Sequence, residues 1–169
     1  YEDTTVEEII ELSGTSKGSF YHYFDGKDAL LSTLSSLFDE KYEELTGLLT
    51  PEMTAMEQLL FLNRELFHMI EDSISLDLLA RLYSTQLTTN GEKHLLDHNR
   101  IYYKLLRKII AKGQSEGQLS SRSNVNEMVK LYALCERALL YDWCLCAGEY
   151  ALTEYSAKVL PGFLSSFLP

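Results

Sequence analysis

The chain has 169 residues, 46% hydrophobic and 24% charged, with only three prolines and a formal net charge of −10. That composition excludes disordered and fibrous classes and allows one sizeable core, or a small module on a larger one. No stretch approaches the roughly 18 apolar residues of a membrane span, no secretory leader is visible, and Cys135, Cys144 and Cys146 lack metal-type spacing. A cytoplasmic protein with reduced thiols and no membrane partner is expected.

The acidity is concentrated at the front, where residues 1–45 hold three lysines against eleven acids. Any contact with nucleic acid must therefore rest on a local arrangement rather than on net charge.

In chain order, "TTVEEIIELSG" predicts a helix. Thr4 or Thr5 caps it, Glu7 or Glu8 completes a capping box, and Val6, Ile9, Ile10 and Leu12 make one apolar side. Gly14 stops it, being free to take the left-handed turn conformation, and Ser16 caps a second short helix that ends near Phe24. Helix, tight turn, helix is the helix-turn-helix layout. Asp25-Gly26 then breaks the chain, and "KDALLSTLSSLFDEKYEELTGLL" predicts a long connecting helix with Leu30, Leu34, Leu37 and Phe38 on its apolar side.

Further helices are expected over Pro51–Ile70, Leu76–Thr88, Glu92–Glu116, Asn124–Gly148 and Leu152–Leu168, the last kinked at Pro161-Gly162. No strand alternation persists, so the fold class is all-α. The run "MVKLYALCERALLYDWCLCAG" is apolar on almost every side and needs cover on more than one face. With the final helix it predicts a homodimer joined by a four-helix bundle built from the last two helices of each copy.

In a helix-turn-helix the second helix lies in the major groove, with its N-terminal residues at the base edges. Lys17, Gly18 and Ser19 occupy that position, and Gly18 allows close approach of the backbone. Tyr21, His22 and Tyr23 can meet phosphates, sugars or thymine methyls, and Lys27 is placed for one more phosphate. Phe20 and Phe24, four apart, hold the helix to a small core.

The stretch "TTVEEIIELSGTSKGSFYHYFDGKDALL" closely resembles the signature of the TetR/AcrR family of bacterial one-component transcription regulators. The resemblance covers roughly the first 31 residues. It implies a helix-turn-helix DNA-binding head with connecting helix over residues 1–45, lacking the family's first helix, and a helical effector-binding and dimerisation domain over residues 46–169. It further implies that Thr5 contacts the DNA backbone, that Lys17, Gly18 and Ser19 read or approach bases, that Tyr21, His22 and Tyr23 touch phosphate, sugar or methyl groups, and that Lys27 holds a phosphate. Ile10 departs from the family pattern, being bulkier than the small residue common there. The implied function is a dimeric repressor released from a palindromic double-stranded operator by a small-molecule effector.

Such a sensor needs a pocket between helices. Asn63 sits on the stripe Met56, Leu59, Leu60, Phe67 and Ile70, and Asn99 on the stripe Leu95, Tyr102, Leu106 and Ile109. A buried amide needs a partner, from protein or ligand. His68, Tyr83, Tyr102, Tyr103 and Trp143 are further candidates for the lining, and a flat or elongated apolar effector is favoured. No catalytic constellation and no cofactor is expected. His94 and His98 flank Asp97 one turn apart, too few ligands for a metal site, and the stripe of Arg100, Lys104, Lys108 and Lys112 with Arg107 reads as a solvated helix face. The alternative is a helical interaction or metal-binding protein whose head does not bind DNA.

Overall fold

The structure, a computed structural model, describes residues 27–88 and 93–169, with side chains from residue 33 onward. The expected helix-turn-helix, with Thr5, Lys17, Gly18, Ser19, Tyr21, His22 and Tyr23, lies outside the described residues, as does the Lys27 side chain. Among the described residues there are six α-helices and no strand: α1 (Lys27–Leu48), α2 (Ala55–Ser73), α3 (Leu76–Thr88), α4 (Ile101–Ser115), α5 (Val125–Leu145) and α6 (Leu152–Leu164). Short 3-10 turns stand at His94–Leu96 and Ser165–Phe167. The all-α expectation holds.

α1 is the long connecting helix anticipated from its leucines. It turns Leu34, Phe38, Tyr42 and Leu45 into the core at the i, i+4, i+8, i+11 spacing of one helix face, while Leu37 stays exposed. Buried apolar side chains of this size each contribute roughly 1.5–3 kcal/mol, so α1 is bound firmly to the bundle behind it. α2 packs on α1, α4 and α6, and α5 packs on α3, α4 and α6. At Gly113 a Cβ would come within 2.6 Å of the Ala55 Cβ, so α4 and α2 approach more closely there than any other residue would allow.

Several boundaries differ from those expected. α2 begins at Ala55 rather than Pro51, because a full capping box forms at Thr54: the Glu57 amide donates to Thr54 Oγ1 at 3.2 Å and the Thr54 amide to Glu57 Oε2 at 2.7 Å. The helix expected over Glu92–Glu116 starts only at Ile101. The chain before it turns tightly instead, with the Leu96 amide donating to Lys93 O at 2.8 Å and the Asn99 amide to Asp97 Oδ1 at 2.9 Å. Local bonds of this kind compete with the helical ladder. α5 ends at Leu145, where Ala147 takes the left-handed conformation (φ 51°) and the Gly148 amide reaches back to Trp143 O at 3.0 Å. α6 runs through Pro161 to Leu164 before tightening into the 3-10 turn.

Two helix starts are capped from distant parts of the chain. The Ala55 amide of α2 donates to Gln118 Oε1 at 2.7 Å. The Glu71 carboxylate receives the Leu152 amide and, at 3.0 Å, the Thr153 amide at the start of α6, together with the Thr153 hydroxyl. A carboxylate at a helix N-terminus is favoured by orphan amides and by the macrodipole alike. Glu71→Ala is expected to cost about 1–2 kcal/mol, read as a fall of roughly 3–8 °C in thermal midpoint; an unchanged midpoint would show the cap to be dispensable.

Candidate functional site

α1, α3, α4 and α5, with Leu66 and Ile70 of α2, surround a partly open cavity of about 60 Å³. Phe38 and Tyr42 line it from α1, Leu79, Leu82 and Tyr83 from α3, Tyr102 from α4, and Glu136, Arg137 and Leu140 from α5, with Leu95 and Arg100 contributed by the segment before α4. Its walls are mostly rings and leucines. Two arginines and one glutamate interrupt them, each held differently.

Arg100 is anchored to α1. Its Nη2 donates to Asp39 Oδ1 at 3.0 Å and to the Ser35 carbonyl at 3.1 Å, and its Nε donates to Asp39 Oδ1 and Oδ2 at 3.2 and 3.3 Å. The Arg100 side chain is only 10% exposed, so this fork-shaped contact is shielded from the screening that weakens surface pairs. The basic stripe expected along α4 therefore loses its first member: Arg100 precedes the helix and turns inward to an acid. Of the rest, Arg107 donates to His98 O, Lys112 pairs with Glu116, and Lys104 and Lys108 are exposed.

Glu136 is buried on α5. Asn63 Nδ2 donates to its Oε1 at 2.8 Å and the Tyr102 hydroxyl to its Oε2 at 2.6 Å, while the Ser156 hydroxyl donates to Asn63 Oδ1. α2, α4, α5 and α6 thus meet in one polar chain inside the core. Loss of hydration raises the Glu136 pKa above the usual carboxylate value, although Tyr102 and Asn63 oppose that rise. Burial likewise holds the Tyr42, Tyr83 and Tyr102 phenols protonated, above their ordinary range.

Arg137 stands where the cavity meets a second, more open space of about 490 Å³, the two sharing Tyr83, Leu95 and Arg137. Gln86, Leu87, Lys93, Leu96, Leu134, Ala138 and Tyr141 form the rest of this groove. Arg137 Nη1 donates to the Tyr103 hydroxyl at 3.2 Å, and that hydroxyl donates to Leu95 O at 2.8 Å.

Of the seven residues expected to line a ligand pocket, Tyr83 and Tyr102 face the cavity. Asn63 is buried with its amide engaged by Glu136 and Ser156. Its side chain lies at the base of a separate surface groove between α2 and α6. Tyr103 touches two wall residues, Arg137 and Leu95, through its hydroxyl, and Trp143 is tied to Tyr150 O at 2.8 Å. His68 and Asn99 are exposed, Asn99 because the helix expected to carry it begins two residues later. His94 and His98 do not share a helix face either, since His94 lies in the 3-10 turn and His98 stacks on Tyr103 with centroids 4.6 Å apart.

Sequence reasoning passed over Tyr42, Arg100, Glu136 and Arg137. Glu136 had a readable signal: it falls in register with Val129, Tyr132, Ala133 and Leu140 on the buried face of α5. Arg100 and Tyr42 had none, because their neighbours come from 61 residues away or from another helix.

Residues 1–34 match the family model of bacterial regulatory proteins, tetR family. Over that segment the chain is similar to that family. Its fold is shared by the transcriptional regulator FadR from Bacillus subtilis, whose crystal structure is a complex with stearoyl-CoA (TM-score 0.70, 20% identity, 99% of this chain and 90% of that one). It is shared also by the fatty acid degradation regulator FadR from Bacillus halodurans (TM-score 0.69, 18% identity, 96% of this chain and 88% of that one). No curated protein matches the sequence.

α1 starts inside the matched segment and continues unbroken to Leu48. The helix that leaves the matched segment is thus the helix that brings Asp39 to Arg100. Among the described residues no three His, Cys, Asp or Glu side chains converge as metal ligands, and no helix is long and apolar enough to cross a membrane.

Proposed function

We propose that this chain is a homodimeric repressor that binds a palindromic operator through residues 1–45 and is released by a small molecule bound in the domain of residues 46–169. The reading rests on one observation: a cavity wall, Arg100, is held by four hydrogen bonds to α1. The cavity's volume of about 60 Å³ has room for only a few water molecules. An effector larger than that must move the walls to fill it. Moving Arg100 loosens or shifts α1, and a ligand that binds the two arrangements unequally changes operator affinity by that difference.

The effector we favour is an elongated amphiphile with an apolar chain. The inner walls are aromatic and aliphatic, and the open groove continues from them toward solvent. The Bacillus subtilis neighbour holds stearoyl-CoA, which supports this choice by analogy of fold alone. Dimerisation is supported by α5, where Leu134, Tyr141 and Leu145 are 52%, 47% and 66% exposed along one side. Tyr155 on α6 adds to that apolar surface, which a symmetry-related copy would cover. Two copies would set their heads about 34–36 Å apart on successive major grooves.

Thr5, Lys17, Gly18, Ser19, Tyr21, His22, Tyr23 and Lys27 are the proposed DNA contacts. Selection from random duplexes with the whole protein is expected to enrich a palindrome, and Lys17→Ala or Tyr21→Ala is expected to weaken binding at least tenfold, each base or phosphate contact contributing about 1–3 kcal/mol. Failure to enrich a palindrome, or enrichment indifferent to both changes, overturns the proposal.

A further inference from the structure

The reading above leaves open what the polar part of an effector would meet. Where cavity and groove join, Arg137 is half-buried and belongs to none of the ion pairs among the described residues; the partner it has is the neutral Tyr103 hydroxyl. A half-buried guanidinium that makes no direct ion pair retains N–H donors that an incoming anion would satisfy. Beside it in the groove stands Gln86, only 8% exposed, whose Oε1 accepts the Leu95 amide at 3.1 Å while its Nε2 has no partner. Buried amide donors are rarely left unmade. Lys93 adds a second cation to the same lining, its ammonium directed at the Gln86 carbonyl.

We infer that Arg137 and Gln86 form an anion subsite for the head of an amphiphile whose apolar tail points inward past Tyr83 toward Phe38 and Tyr42. The head is a carboxylate or a phosphate, since both offer several acceptor oxygens to a forked guanidinium and an amide N–H. Glu136 does not compete for the same donors, because both its oxygens are already engaged by Tyr102 and Asn63. Leu87 and Leu96, outside the α5 face assigned to a second copy, are the apolar groove walls left to meet more of the ligand beyond the head. The inference rests on the proposed role of the cavity as effector site and adds the class of group recognised.

The test titrates the whole protein by calorimetry with dodecanoate, dodecyl phosphate and dodecanol, which share one tail and differ in head. Both anions, or one of them, are expected to bind at least tenfold tighter than the alcohol, the loss of a charge-assisted hydrogen bond having that order of effect. The preferred anion identifies the head. Arg137→Met is expected to erase the advantage while leaving dodecanol binding unchanged, Arg137→Lys to keep most of it, and Gln86→Met to reduce it several-fold. Equal binding of alcohol and anions, or an equal loss of all three ligands in Arg137→Met, overturns the subsite. Operator release is read in parallel: anions that bind through Arg137 without releasing a selected operator leave the subsite standing and sink the regulatory reading of the cavity.

Discussion

Asn63→Leu is expected to lower the unfolding free energy by about 3–5 kcal/mol, the usual consequence of removing one partner of a buried charged group. The leucine keeps the side-chain volume but leaves Glu136 Oε1 without its donor and the Ser156 hydroxyl without its acceptor. The loss should depend on pH, and its sign follows from burial. Glu136 has a folded pKa above the model value of 4.5, so the folded state holds its proton more tightly than the unfolded chain. Stability from this group is complete below about pH 4.5 and declines as pH rises through the folded pKa. Deleting a donor that favours the carboxylate raises the folded pKa further, so Asn63→Leu should be more damaging at pH 8 than at pH 5. Adding Glu136→Gln should recover part of the loss at pH 8. Urea unfolding at the two pH values decides it: an equal penalty at both would mean that Glu136 stays ionised in the fold.

Breaking the contact between α1 and the cavity is expected to have the second large effect. Asp39→Ala strands Arg100 against α1 with a single carbonyl for company, and Arg100→Ala strands Asp39. Each should cost about 1.5–3 kcal/mol in urea unfolding, as for hydrogen bonds to charged groups. The double variant should cost clearly less than the two singles together, because the removed partners belong to one interaction. The same cycle on operator affinity tests the proposed function. If Arg100 passes cavity occupancy to α1, each single variant and the double variant should lose most of the operator response to an acyl-CoA probe, to the same degree. Additive stability losses, or a full response in Arg100→Ala, would count against that role.

The backbone course was readable because it follows from local spacing. Apolar residues at three- and four-residue intervals marked all six helices that the described residues contain, and Gly and Asn punctuation located most of their ends. The errors fall where a side chain bonds to nearby backbone in place of the ladder, as Asp97 does before α4, or where a better cap lies a few residues downstream, as Thr54 does for α2. Leu37 was misplaced for a different reason: a leucine between two buried turns looks inward in sequence, and only the neighbour's position shows which side is covered.

The site was less readable, and its residues show why. Tyr83 and Tyr102 were candidates on type alone, whereas Arg100 looked like one cation in a solvated stripe. Its role depends on Asp39, 61 residues earlier, and on the break that frees the chain before Ile101. Asn63 was rightly singled out as a polar group on an apolar face, but whether its partner was protein or ligand could not be decided without Glu136, 73 residues away.

The sequence by itself determined that the chain is helical, that its first residues carry a tetR-type signature, and that α5 has more apolar surface than one helix face can bury. These are properties of short-range pattern, and short-range pattern survives in one dimension. Only the tertiary structure decided which charges are buried, what each is bound to, and that the helix leaving the matched segment grips a cavity wall. Burial and pairing are set by groups far apart in the chain, and the free energy of a charge depends on that surrounding medium more than on the residue that carries it.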